Sequence, residues 1–155
     1  MSDSADNPYT APAPAKETKK FKLPIWFWIV GVIALLWNLM GLAAFAAESS
    51  VIPTLPESQQ ELYRVRPLWA YIAFAVAVIA GTLGCVLLLM RRKLAITVFI
   101  ISLLGVLAQQ GYAFFMSDTF QVLGNGAMAF PILITIIAAA LIFYSIKLNA
   151  KGWLR

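Results

Sequence analysis

The chain has 155 residues, of which 61% are hydrophobic and only 12% are charged, and its mean hydropathy is +0.81. Soluble domains carry about 25% charged residues, so the composition excludes an ordinary water-soluble core. The net charge of +5 does not indicate nucleic-acid binding, because the basic residues lie at the ends of apolar segments, where they meet lipid headgroups. The lipid bilayer is therefore a predicted partner, and nucleic acid is not.

The side chains that most catalytic and metal sites require are scarce in this sequence. It contains one cysteine, Cys85, and no histidine. Four-helix thiol oxidases need paired cysteines, and haem-bearing four-helix cytochromes need histidine ligands. A zinc or iron site is also disfavoured, and no nucleophile–base pair or phosphate-binding loop occurs. We therefore expect neither enzymatic activity nor a cofactor.

The first predicted elements are a tail and a long apolar segment. Residues 1–20 are rich in Pro, Ala, Ser and charges, which predicts a disordered cytoplasmic tail, and residues 21–155 form the predicted membrane domain. The apolar segment 23–47 is predicted as the first membrane helix. A cleaved signal peptide is the alternative, because Ala44-Phe45-Ala46 resembles a cleavage site, but the apolar stretch exceeds the usual 7–15 or so residues.

Three further apolar segments follow, at residues 68–90, 94–116 and 129–148. Each is close to the roughly 20 residues that cross a bilayer core. The second and third are joined only by Arg91-Arg92-Lys93, a turn so short that these helices must be antiparallel neighbours. The predicted fold class is an all-α membrane protein, a bundle of four transmembrane helices.

The loop before the second membrane helix predicts one short additional helix. Thr54 and Glu57 have the spacing of a capping box, and Pro56 suits an early helical position. The helix would include PESQQELYRVR and stop before Pro67, which disfavours a helical residue in front of it. We expect a periplasmic helix lying on the membrane surface, with a lid or a docking surface as the alternative.

The distribution of basic residues predicts the orientation. By the positive-inside rule, the side with more Lys and Arg is cytoplasmic, which places both termini inside. Arg64 and Arg66 lie on the opposite side. The ten residues on the cytoplasmic side are Lys16, Lys19, Lys20, Lys22, Arg91, Arg92, Lys93, Lys147, Lys151 and Arg155.

Amides within the apolar segments are the candidate site. Asn38 and Gln109 each come fifteen residues after the start of a predicted helix, roughly 22 Å from the inner edge at 1.5 Å per residue. A mutual hydrogen bond would give Asn38 the partner that it needs in lipid. This cluster is either a structural staple or a polar pocket for a neutral solute such as a sugar, with aromatic walls. The residues proposed for the cluster are Trp37, Asn38, Gln109, Gln110, Tyr112 and Thr135.

Small residues predict where the helices touch. The second membrane helix has Ala73, Ala77, Gly81 and Cys85 at intervals of four, which permits close approach of backbones. None of the four segments carries a charged residue in its central part. Proton-coupled pumps usually rest on such residues, so proton-driven antiport is disfavoured.

Several short motifs carry a resemblance to a known family. They are Trp37-Asn38-Leu39-x-Gly41, Leu62-Tyr63, Arg66-Pro67-x-Trp69, Gly81-x-x-Gly84, Leu87-Leu88-Leu89-x-Arg91-Arg92, Leu94-Ala95 and Ser102-Leu103. Over roughly residues 25–148 the sequence resembles an uncharacterised family of small four-helix bacterial inner-membrane proteins, whose members often carry an automatic "sugar transporter" label. The resemblance implies a location in the bacterial inner (cytoplasmic) membrane and a solute-related role, but no functional residue.

Two functions remain open from the sequence. The first is a non-enzymatic accessory or scaffold role, in which helix faces dock a second copy of the chain or another membrane protein. The alternative is a transporter or channel for a small solute, for example a sugar. Such a path would require an oligomer, because four thin helices leave little room for it.

Overall fold

The computed structural model describes residues 23–155, and this part of the chain is all-α. The predicted tail, residues 1–20, lies outside it. Two short 3₁₀ helices, Ile52–Thr54 and Asn125–Met128, accompany the α-helices. In chain order the α-helices are α1 (Ile25–Val51), α2 (Glu57–Arg64), α3 (Leu68–Leu89), α4 (Leu94–Phe115), α5 (Thr119–Leu123) and α6 (Ala129–Ala150).

Four of these helices, α1, α3, α4 and α6, are long and apolar enough to cross a membrane. Helices α3, α4 and α6 have 22 residues each and α1 has 27, and 22 residues span about 33 Å. Many large apolar side chains on these helices point away from the bundle, as contact with lipid requires. The all-α architecture with four candidate spans is confirmed, and the protein is a multi-pass membrane protein.

Helix α3 lies between α1 and α4, and α6 packs on α4. The α3–α4 contact is close because both helices present small residues. A Cβ atom added to Gly105 would lie only 2.8 Å from the Ala73 carbonyl oxygen and 2.9 Å from the Ala77 nitrogen. The buried Ser102 hydroxyl donates a 2.7 Å hydrogen bond to the Ala77 carbonyl. The predicted small-residue stripe therefore faces its neighbours, whereas α1 and α6 make few direct contacts with each other.

One end of the bundle, where α1 begins and α6 ends, is closed by a packed apolar core; we call it the terminal end. The Lys93 N–H donates to the Arg155 carbonyl at 2.9 Å, and the Arg155 N–H donates to the Arg91 carbonyl at 2.6 Å. These bonds attach the segment after α6 to the α3–α4 turn. The largest side chains of the core are Phe27, Leu88, Phe99, Leu148 and Leu154.

The opposite end, which we call the loop end, carries α2 and α5. The predicted capping box is wrong. Thr54 ends the first 3₁₀ helix, its hydroxyl donates to the Val51 carbonyl at 2.7 Å, and α2 begins after Pro56 with no side-chain cap. The capping box fails because the N-cap position is Pro56, two residues after Thr54, so that Glu57 is the first helical residue rather than the third.

An ion pair ties this loop to the bundle. Arg66, just before α3, pairs with Glu48 near the end of α1, and each side chain is only 13% exposed. The Arg66 guanidinium also lies over the rings of Tyr63 and Tyr71, at 5.4 and 5.0 Å from their centroids. The two charges therefore hold the segment after α2 against the loop end of α1.

Candidate intramembrane site

A cavity of about 320 Å³ lies between α1, α3, α4 and α6; we call it the bundle cavity. Leu141, which belongs to the packed core, also lines it. Its walls are mainly apolar, from residues such as Met40, Phe74, Val106, Phe130 and Ile137. The polar side chains that reach it are Asn38, Ser102 and Gln109.

Asn38 lies on the wall that α1 contributes, with its carboxamide turned towards α3. Its Nδ2 donates to the Ala34 carbonyl at 2.9 Å and lies 3.4 Å from the Cys85 sulfur. Its Oδ1 occupies the space that a Cβ atom on Gly81 would take. The amide is accommodated because Gly81 leaves room for it against the backbone of α3.

The predicted hydrogen bond between Asn38 and Gln109 does not form. Within residues 23–155, the hydrogen bonds of the Asn38 side chain go to Ala34 and Cys85. Equal depth in the membrane is not sufficient for contact, because α3 lies between α1 and α4. Asn38 and Gln109 instead reach the bundle cavity from different helices.

An interhelical staple is present, but it is made by Gln110 and Thr135. The Gln110 Nε2 donates to the Pro131 carbonyl at 2.8 Å, and the Thr135 hydroxyl lies 2.9 Å from the Gln110 Oε1. These contacts join α4 to the first turns of α6. Gln110 is one residue, about 100° of helix rotation, away from Gln109, so it faces α6 while Gln109 faces the cavity.

Gln109 differs from the other polar side chains of the cavity. Ser102 donates to Ala77, and the Nδ2 of Asn38 donates to Ala34 and Cys85, whereas neither the Nε2 nor the Oε1 of Gln109 has a hydrogen-bond partner within the part of the chain that the structure describes. An unpaired amide at membrane depth costs free energy of several kcal/mol, of the order of a lost hydrogen bond in hydrocarbon. Gln109 is therefore the side chain of the cavity whose donor and acceptor are both available to a bound molecule.

The two aromatic residues predicted as walls lie in different places. Trp37 lines the bundle cavity, and its ring centroid is 6.2 Å from that of Phe130 on α6. Tyr112 is buried beside α3, where its ring meets the edge of Trp69 at 5.7 Å and its hydroxyl lies 3.5 Å from the Val65 carbonyl. Tyr112 thus holds the loop end together and is not a wall of the cavity.

The cavity opens sideways, through the gap between α1 and α6, which we call the seam. Met40 on α1 and Phe130 on α6 both line the cavity, yet they are 55% and 57% exposed. Across this gap the Trp37 and Phe130 rings approach each other. Since both helices are candidate spans, the seam faces the lipid.

Sequence reasoning missed two features near the cavity. The Glu48–Arg66 pair escaped because its partners are 18 residues apart across a loop, and each looked like a solvated flanking charge. Cys85 was predicted to be a small packing residue, and its facing followed from its interval of four from Gly81. The second missed feature is the contact of Cys85 with Asn38. It depends on the rotation of α1, which periodicity alone does not fix.

Comparisons with known proteins give no guide to the site. No protein-family model, no curated protein and no solved structure matches the chain. Within residues 23–155, no group of three or more His, Cys, Asp or Glu side chains could hold a metal ion. The function of the cavity therefore has to be inferred from its geometry.

Proposed function

We propose that this multi-pass membrane protein is a non-enzymatic accessory protein that holds a small molecule in the bundle cavity. The observation that carries the proposal is the cavity itself, about 320 Å³ with mainly apolar walls and with the carboxamide of Gln109, whose donor and acceptor both lack a partner among the described residues. Ligand pockets in proteins begin at about 300 Å³ and combine apolar walls with a few convergent polar groups. The bundle cavity fits that description.

The lining of the cavity supports binding rather than catalysis. Among the described residues, the side chains that reach it are apolar, amide or hydroxyl groups, and none of these is charged. General acid–base or nucleophilic chemistry requires a titratable group or an activated nucleophile near the reacting atoms. We accordingly propose no catalytic residue and no cofactor for this site.

The alternative function, a small-solute transporter acting as an oligomer, has weaker support. The core at the terminal end, which includes Phe27, Leu88 and Phe99, lies across any path through one protomer. A sugar would also require several hydrogen-bonding groups, whereas Gln109 is the available one. Solute uptake into proteoliposomes tests this function, and concentration-dependent, saturable sugar uptake would favour it over passive binding.

The setting of the protein belongs to the same proposal. We propose the bacterial inner membrane with both termini in the cytoplasm, in agreement with the basic residues Arg91, Arg92 and Lys93 at the terminal end. The resemblance to small four-helix inner-membrane proteins favours the same location. A second copy or another membrane protein would cover part of the exposed faces of α1 and α6, and cross-linking in intact membranes tests for it.

The binding proposal is tested by filling the cavity. Ala138 lines it from α6, and the adjacent Ala139 is exposed on the outer face of the same helix. Native mass spectrometry of protein released from gentle detergent should find a retained small molecule on the wild type and on Ala139→Phe. Ala138→Phe should lack it, because the added ring occupies the cavity.

A second pair of variants tests whether loss of the retained molecule comes from filling the cavity or from misfolding. Ala44 lines the cavity from α1, and its neighbour Ala43, which is exposed like Ala44, lies outside the lining. Ala44→Phe should lose the retained molecule and Ala43→Phe should keep it, with unchanged helical circular dichroism in both. Equal retention in the filled and the control variants, or no retained molecule on the wild type, would overturn the proposal.

A further inference from the structure

We infer that the molecule held in the bundle cavity is a single-chain amphiphile with an uncharged head group, which enters from the bilayer through the seam between α1 and α6. The inference rests on the proposed binding function and specifies its ligand. Three properties of the cavity lead to it: the position of its available polar group, the absence of charge from its lining, and its opening towards lipid.

The polarity of the cavity changes along the membrane normal. Gln109 lies fifteen residues into α4, roughly 22 Å from the terminal end, and Leu141 lies nine residues before the end of α6, roughly 14 Å from it. Both line the cavity, so the available amide is nearer the loop end by roughly 8 Å. A lipid of the leaflet on the loop side also has its head towards that end and its chain towards the bilayer centre.

The deeper polar groups do not alter this gradient. Ser102 lies below Gln109 on the same helix, but its hydroxyl already donates to the Ala77 carbonyl. The Nδ2 of Asn38 is likewise engaged with Ala34 and Cys85, and its Oδ1 lies against Gly81 of α3, which is not part of the cavity lining. The deep part of the cavity, between Ile137 and Leu141, is therefore suited to an acyl chain.

The head group is uncharged because the cavity has nothing to neutralise a charge. No charged side chain of residues 23–155 lines it, and the ion pair at the loop end, Glu48 with Arg66, is mutually compensated. Transfer of an isolated ion into such a site is strongly unfavourable. A hydroxyl or amide head group can both donate to and accept from the carboxamide of Gln109, and an ester group can accept from its Nε2.

The seam supplies a route that does not pass through water. Met40 and Phe130 line the cavity and are more than half exposed on the lipid-facing surface. α1 and α6 are bridged there by the Trp37 and Phe130 rings rather than by close backbone packing. A chain from the adjacent leaflet can thus slide between the two helices with its head group still near the loop end.

The test uses three photoreactive probes with the same medium-length chain and a diazirine near the chain end. One is a monoacylglycerol, one is the fatty acid at pH 8, and one is an alkane. The full chain is labelled in lipid nanodiscs, and the labelled residues are identified by mass spectrometry. We expect the monoacylglycerol to label the cavity walls near Ile137 and Leu141, with competition by unlabelled monoacylglycerol.

Two glutamine variants make the test specific. Gln109→Met removes the available carboxamide and should reduce cavity labelling by the monoacylglycerol roughly five- to tenfold, the effect of one net hydrogen bond. Gln110→Met removes an amide that bonds to α6 instead, and it should leave the labelling of folded protein unchanged. The fatty acid and the alkane should label the cavity several-fold less than the monoacylglycerol.

The outcomes separate this inference from the function on which it rests. In one outcome all three probes label the cavity equally, with no effect of Gln109→Met and complete loss in Ala138→Phe. That result would contradict an amphiphilic ligand but would still support a binding cavity. Stronger labelling by the fatty acid would overturn the uncharged head group. No cavity labelling by any probe, together with no retained molecule on the wild type, would overturn both the amphiphile and the binding function.

Discussion

The carboxamide oxygen of Asn38 occupies the position at which any residue other than glycine at position 81 would place its Cβ atom. This relationship explains how an amide is tolerated in the middle of an apolar helix. Asn38 donates to its own helix at Ala34 and to Cys85, and the missing side chain of Gly81 provides the room. The polar residue and the small residue are therefore one feature, shared by α1 and α3.

The first prediction is that Gly81→Ala destabilises the bundle. The new methyl group meets the Asn38 oxygen and also lies 3.1 Å from the Ser102 hydroxyl, and overpacking of this kind costs about 1–3 kcal/mol. In an Asn38→Ala background the same substitution should cost clearly less, because the main obstruction is gone. Unfolding in mixed micelles followed by circular dichroism measures both effects.

Gly111→Ala is the matched control for this pair. A Cβ atom added there meets no atom within 4 Å, and replacing a helical glycine by alanine favours the helix by up to about 1 kcal/mol. The control should therefore be neutral or stabilising. Equal destabilisation by Gly81→Ala with and without Asn38 would contradict the packing described for α1 and α3.

The second prediction separates the two adjacent glutamines by their effects on stability. Gln110→Met breaks the staple to Pro131 and Thr135 and should lower the free energy of unfolding by about 0.6–1.7 kcal/mol, the range of interhelical hydrogen bonds in membranes. Gln109→Met removes an amide without a partner in residues 23–155 and should be neutral or stabilising. Thermal unfolding in one detergent compares them, and the reverse order would show that their environments are misassigned.

The contrast between these glutamines shows which features could be predicted from the sequence and which could not. Periodicity and length predicted four apolar helices and the small-residue contacts between them, because burial against lipid and close backbone approach depend on residue type. An amide staple between two helices was one of the two interpretations that they allowed for the polar cluster, with Asn38 and Gln109 as its partners. They could not say which amide, since neighbouring residues differ by about 100° in facing and the rotation of each helix is set by packing with all the others.

The third prediction concerns the ion pair at the loop end. Glu48→Gln should destabilise the protein by about 1–3 kcal/mol, because Arg66 is left nearly buried without a counter-charge. The surface pair of Glu61 and Arg64, whose side chains are 51% and 70% exposed, provides the control. Glu61→Gln should cost less than about 0.5 kcal/mol. Chemical unfolding of both variants measures the difference, and equal costs would contradict the role given to Glu48 and Arg66.

The fourth prediction is the orientation. Alkaline phosphatase fused at Ser58, in α2, should be active, because this helix lies at the loop end, which we place outside. The same enzyme fused after Arg155 should be inactive, with a fluorescent protein fused there as the cytoplasmic control. Phosphatase activity after Arg155 would place the C-terminus outside. The amphiphile would then come from the cytoplasmic leaflet instead of the outer one.

The candidate site was only partly accessible to sequence reasoning. Trp37, Asn38 and Gln109 were identified as a group because polar and aromatic residues stand out in apolar segments, and all three line the bundle cavity. Tyr112 was grouped with them by helical spacing, but its hydroxyl turns to the backbone of Val65. The apolar half of the cavity, with Phe130 and Ile137, has no sequence signal, because such residues look the same facing lipid or a cavity.

Nuclear magnetic resonance gives the most direct test of amphiphile binding in the bundle cavity. Protein in nanodiscs of deuterated lipid would be titrated with protonated monoacylglycerol, and nuclear Overhauser effects would be recorded to the Trp37 indole N–H and to the Gln109 side-chain amide. We predict effects from chain protons at Trp37 and from head-group protons at Gln109, all lost in Ala138→Phe. If nuclear Overhauser effects at saturating monoacylglycerol appeared only at exposed residues such as Ile136 and Phe143, they would contradict binding in the bundle cavity.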